Sequence, residues 1–141
     1  MTETGVYRNT DYGKQLIHFD GMVYNRSGKP DSTGKISPTD IDGCMELNDK
    51  AWLIYEVKRV GTDISTGQRI ALERLTEDLA KTGKYVICII GEHNAKSAND
   101  LIYLKDCKVR QMKIGSKPWR EPDFDYTVKE ATDRALDQAF Q

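Results

Sequence analysis

Trp52, Leu53, Ile54, Tyr55 and Val57 make a run that is apolar at odd and even positions alike, with Glu56 and Lys58 set into its end. Strand side chains alternate between two faces, so a strand apolar on both has to be covered on both. A chain holding such a strand needs a layer on each side of its sheet. Glu56 and Lys58 then fall at the edge of a core, where charge needs a partner or a purpose. The plainer reading is that a Glu and a Lys near a strand end are solvated. On that reading, Pro38, Asp40, Asp42 and Gly43 just upstream are ordinary turn formers.

Strand parity puts Glu56 and Lys58 on one face, and likewise Asp40 with Asp42. A turn is expected near Asn48-Asp49-Lys50. A three-residue loop there pairs Leu47 with Ala51 and sets Asp42 opposite Glu56 and Asp40 opposite Lys58, all on one side. A two-residue loop pairs Leu47 with Lys50 and sends the aspartates to the other face, unless a bulge restores the register. In the first register, carboxylates collect as hard, oxygen-liganded cations such as Mg²⁺ require. A lysine beside such a cation positions or deprotonates a water, or neutralises charge developing on a phosphate. Those parts suit the cutting of a phosphodiester bond.

Elsewhere the pattern predicts alternating helices and strands. Asn9–His18 reads as a short helix, Phe19–Tyr24 as a short strand and residues 25–37 as a loop holding Arg26, Lys29 and Lys35. The hairpin runs over about 40–59 and is broken at Gly61-Thr62-Asp63. Ser65 or Thr66 caps the next helix, with Ser65 and Gln68 at capping-box spacing. Ile70, Ala71, Leu75 and Leu79 recur at helical spacing, and Gly83 ends the helix. Tyr85–Ile90 is an apolar strand, and Leu101–Ile114 a long strand or a hairpin. Thr127 and Glu130 open a terminal helix through a second capping box. His93, just past an apolar strand, reads either as a solvated loop residue or as a phosphate contact and acid toward a leaving oxygen.

At 141 residues the chain is expected to form a single domain, 1–141, with one core. Its apolar runs are too short to cross a bilayer and no secretory leader is read at its start, so a soluble, cytoplasmic protein without a membrane partner is expected. Cys44, Cys88 and Cys107 lack CxxC spacing, and Cys44 and Cys88 fall in apolar strands, where reduced, buried thiols are expected rather than a zinc site. A net charge of -1 counts against nucleic-acid binding, which favours a basic surface. The distribution is less even: from Lys105 to Arg120 six basic residues, Lys113, Lys117 and Arg120 among them, face only Asp106, with Trp119 in their midst. This segment reads as a DNA-binding strip with a stacking aromatic, or as the lysine-guarded face of a strand near a sheet edge.

Asp…Glu56-x-Lys58, with Pro38 just ahead of the first acid, resembles the PD-(D/E)XK nuclease superfamily. That group includes restriction endonucleases, Holliday junction resolvases and phage exonucleases. The resemblance covers about residues 36–90, extending to Gln68 at the start of the following helix and to the strand Tyr85–Ile90. It implies a restriction-endonuclease-like core, a Mg²⁺ or Mn²⁺ cofactor and hydrolysis of DNA, with Glu56 as the second metal-binding acid and Lys58 as the catalytic lysine. Asp42 suits the first acid by standing opposite Glu56 and is favoured, while Asp40 better matches the place next to the proline. The Val57 carbonyl completes the metal shell in the family arrangement, and Gln68 orients water or phosphate unless it serves only the helix cap. Many members also carry an N-terminal-helix glutamate; Glu3 lies too near the terminus, and Gln15 stands as a substitute. Lys35 belongs to a loop that would cover the scissile phosphate. The small size favours a structure-selective enzyme acting as a homodimer; the alternative is an inactive module on the same fold that binds nucleic acid or a protein.

Overall fold

Both faces of the central strands are covered, and by different helices. The computed structural model describes residues 19–141, so the expected helix Asn9–His18 and the positions Glu3 and Gln15 lie outside the described residues. The chain divides into two compact units, 1–38 and 39–141.

In the first unit the expected strand Phe19–Tyr24 is not formed. Asp20-Gly21 turns the chain instead, with Gly21 at φ +82° and the Met22 N–H donating to the Phe19 carbonyl at 3.0 Å. Only Tyr24 pairs, in isolated bridges to Pro30 and Ile36. Between these bridges Asn25 Oδ1 accepts from the backbone of Ser27 and Lys29, so the basic loop is built of side-chain-held turns. Arg26, Lys29 and Lys35 are exposed on it.

The second unit is a mixed α/β fold with a four-stranded sheet and two helices. In chain order it runs β1 (Gly43–Leu47), β2 (Ala51–Arg59), α1 (Thr66–Ala80), β3 (Tyr85–His93), β4 (Lys108–Ile114) and α2 (Val128–Ala139). The sheet order is β1-β2-β3-β4, with β1/β2 antiparallel, β2/β3 parallel and β3/β4 antiparallel. Ile54, Val86 and Cys88 pack with Leu72, Leu75 and Leu79 of α1. The alternate residues Leu53, Tyr55, Ile87 and Ile89 pack with Val128, Ala131 and Ala135 of α2. One strand thus feeds two cores, which is why Trp52–Tyr55 and Val57 are apolar on both faces, with Glu56 and Lys58 set into its end.

Helix ends follow the capping residues. Ser65 Oγ accepts from the Gln68 N–H at the start of α1, and Gly83 lies past its end at φ +89°. Thr127 and Glu130 form the full reciprocal box at α2. Gly91, on β3 where the pairing with β4 shifts register, has a steric reason: a Cβ there would lie 3.0 Å from Val128 Cγ2.

Leu101–Ile114 is neither one strand nor a hairpin. Leu101–Tyr103 are exposed, Leu104–Asp106 form a 3-10 turn, and β4 starts only at Lys108. Cys44 also departs from expectation, being exposed on the edge strand β1, while Cys88 and Cys107 are buried. Among the described residues no helix is long and apolar enough to cross a membrane.

Candidate active site

The β1–β2 turn sets the register on which the acidic residues depend. Asn48 and Asp49 take left-handed backbone angles, φ 49° and 59°, which these two residue types tolerate better than most. The Lys50 N–H closes the turn on the Leu47 carbonyl, and Leu47 pairs with Ala51. The Asp49 N–H donates to Glu46, and Lys84 holds the Asp49 carboxylate. This is the three-residue loop, so the ladder runs back to Gly43 opposite Tyr55. One step further brings Asp42 alongside Glu56.

Asp42 is fixed there by the backbone: its Oδ2 accepts from the Val57 N–H at 2.7 Å. The N–H and C=O of a strand residue point to the same side, so the Val57 carbonyl faces the side on which Asp42 stands. Glu56 is buried, with 3% of its surface exposed, on the sheet face covered by α1. Its Oε2 accepts from Gln68 Nε2 at 2.8 Å and lies 3.3 Å from Lys58 Nζ. Its Oε1 is buried and has no hydrogen-bond partner.

Gln68 therefore serves two purposes. Its backbone completes half of the α1 cap, but its side chain turns to Glu56 and not back to the cap residue. Burial pushes the Glu56 carboxyl above its ordinary range, and the nearby Asp42 charge pushes it further; Lys58 and Gln68 pull in the opposite direction without cancelling the rise. Cys88, also on the α1 face, is no rival nucleophile, since burial pushes its thiol up to about 12.

A divalent cation suits these donors. A buried carboxylate oxygen without a donor, beside a second carboxylate, is costly alone and satisfied by a hard cation. Asp42, Glu56 and the Val57 carbonyl are the groups that could hold one. Among the described residues no three His, Cys, Asp or Glu side chains gather into a metal cage, so the remaining ligands would be water.

The other candidate residues are more scattered. Asp40 is exposed, with no side-chain hydrogen bond or ion pair among the described residues. Lys113 is only 3% exposed: its ammonium lies 2.8 Å from Glu77 Oε2 of α1 and donates to the Lys117 carbonyl at 2.7 Å. That charge is used inside the fold. Trp119 is tied to α1 through Nε1, which donates to Glu73 at 2.7 Å. Lys117 and Arg120 are exposed in the same unit, and Lys35 in the other. His93 occupies an odd position of β3, opposite in parity to Glu56 and Lys58, with Nδ1 accepting from the Ala95 N–H.

Two features near the site carried no sequence signal strong enough to single them out. Arg110 bonds Glu92 and the carbonyls of Arg59 and Thr62, clasping the connection from β2 to α1. Arg69, in the turn that carries Gln68, reaches Gln111 on β4 and lies over Trp119. Its position directly after Gln68 was the available clue. Comparison with protein-family models, with curated proteins and with solved structures finds no match.

Proposed function

We propose that the second unit is a Mg²⁺- or Mn²⁺-dependent nuclease acting on DNA, built on a restriction-endonuclease-like PD-(D/E)XK core. One observation carries the reading: Glu56 is buried with one oxygen held by Gln68 and Lys58 and the other unpartnered, while Asp42 is pinned next to it by the Val57 N–H. A structural ion pair has no use for a second acid beside an unsatisfied carboxylate. The bound cation would supply Lewis-acid polarisation of the phosphate and of a water.

The chain's own groups then divide the work. Asp42 and Glu56 hold the cation with the Val57 carbonyl. Gln68 donates to Glu56 Oε2 and so fixes which oxygen stays open. Lys58, a quarter exposed, keeps its ammonium within reach of solvent and of a docked phosphate. There it orients the attacking water and offsets the negative charge that builds on phosphorus oxygens in the transition state. Cutting both strands of a duplex calls for two such sites, and hence for a homodimer.

The test is incubation with Mn²⁺ and a panel of labelled DNA structures, beside Glu56→Ala and Lys58→Ala. Cleavage by the wild type that falls at least about a hundredfold in either variant is expected, the usual scale for losing a group that stabilises transition-state charge. Undiminished metal-dependent cleavage by both variants would sink the assignment.

A second reading, an inactive module on this fold that binds nucleic acid or a protein, is favoured by the net charge of -1 and by the internal use of Lys113. Metal binding separates the two. Mn²⁺ uptake that is lost in Glu56→Ala belongs to the nuclease, and a plain binding module takes up none.

A further inference from the structure

Among the described residues Arg69 carries a charge without a counter-ion. Its guanidinium lies 5.1 Å from the Trp119 ring centroid, and Nη2 donates to Gln111 Oε1 at 2.9 Å. Among the described residues it makes no ion pair. The acids of α1 that face this way are already engaged: Glu73 accepts from the Trp119 indole, and Glu77 pairs with Lys113. Gln111 is a neutral acceptor, so it orients the fork without cancelling its charge.

Helix stability does not explain a cation at this point. The N-terminal end of α1 carries the positive end of the helix dipole, and its first turn holds no acid. Arginine there is mildly unfavourable until an anion arrives. The stack and the single hydrogen bond restrain the side chain beforehand and leave most of its five N–H donors for a planar oxyanion.

The sheet register fixes where that anion would lie. Glu56 pairs with Ile90, and Ile90 pairs with Gln111. Gln111 is thus two strands from Glu56, about 10 Å at the usual strand spacing. Since Arg69 also follows Gln68, which touches Glu56, its guanidinium belongs to the rim of the same site. At that backbone spacing the guanidinium suits a phosphate along the strand from the one under attack.

We propose that Arg69, stacked on Trp119 and braced by Gln111, binds a DNA backbone phosphate a nucleotide or two from the bond cut at Glu56. This rests on the nuclease reading above. Trp119 then acts through Arg69 and not by stacking on a base.

The test measures binding of a labelled DNA duplex by anisotropy across a salt series, with calcium supplied in place of magnesium. Arg69→Ala is expected to weaken binding about tenfold and to lower the slope of log affinity against log salt by about one. Arg69→Lys is expected to keep the slope and recover only part of the affinity, since it keeps the charge and loses the fork. Mn²⁺ uptake at Glu56 stays as in the wild type. A structural role for Arg69 would lower the melting temperature but leave the salt slope unchanged. If Arg69→Ala does not fold, Arg69→Lys decides: weaker binding supports the site, and wild-type affinity overturns it. Equal affinity and slope in wild type and Arg69→Ala overturn this inference alone. A wild-type chain that binds no DNA overturns the nuclease reading, and this one with it.

Discussion

At the scale of single residues, Glu56 sets burial against charge. Its carboxyl is raised above its ordinary value of 4.5, first by burial and then by Asp42. An acid whose pKa is higher in the folded chain than in the unfolded one binds its proton more tightly when folded. Its contribution to stability is full below pH 4.5 and is lost as pH rises through the raised folded value. In the metal-free protein, Glu56→Gln should therefore raise the melting temperature at neutral pH by a few degrees, the gap closing below pH 4.5. Thermal scans across pH check this; a Gln variant less stable at neutral pH would mean that the Lys58 pairing outweighs the burial. Under the proposed metal site, saturating Mn²⁺ should reverse the order, since a ligand at a hundred times its Kd would stabilise the wild type by about 2.7 kcal/mol and the variant would lack one ligating oxygen. Parity along β2 was enough to put Glu56 and Lys58 on one face. The fate of Lys113 was not legible, because its partner Glu77 comes from a helix far away in the chain.

At the scale of elements, the turn at Asn48-Asp49-Lys50 decides whether there is a site at all. A strand shifted by one residue turns every side chain to the other face, and Asp42 would then leave Glu56. Local chemistry selects the observed turn, because Asn48 and Asp49 accept left-handed angles at low cost. Asn48→Val should cost about 1–2 kcal/mol in urea unfolding, the penalty of forcing that conformation on a side chain with a crowded Cβ. Its Mn²⁺ uptake should persist as long as Leu47 still pairs with Ala51. Loss of uptake in a stably folded variant would point to slipped register. Both helix starts were legible from Ser65, Gln68, Thr127 and Glu130, because a cap is written in residues three apart. The apolar residues of Leu101–Ile114 suit one strand or a hairpin, yet only Lys108–Ile114 pairs, while Leu101–Tyr103 find no partner strand and stay exposed.

At the scale of the whole molecule, every buried core residue among the described residues falls between Ala51 and Ala135. A chain starting at Thr39 should accordingly unfold in one cooperative urea transition and, under the proposed function, take up as much Mn²⁺ as the full-length protein. A gradual transition in that fragment would show that residues 39–141 do not fold as a unit on their own. The net charge of -1 argues against broad electrostatic capture of DNA, so recognition would rest on a few placed cations such as Arg69 and Lys58.

Periodicity and capping, which act between near neighbours, sufficed for the double-faced strand β2, the helices α1 and α2 and the common face of Glu56 and Lys58. Convergence of Asp42, Glu56 and Gln68 required one register out of two, which side-chain alternation alone leaves open. The partner of each charged group was settled only by packing. Lys113 is used up by Glu77 and Arg69 is left to Trp119 and Gln111, because burial and pairing depend on which distant segments the sheet brings within a few ångströms.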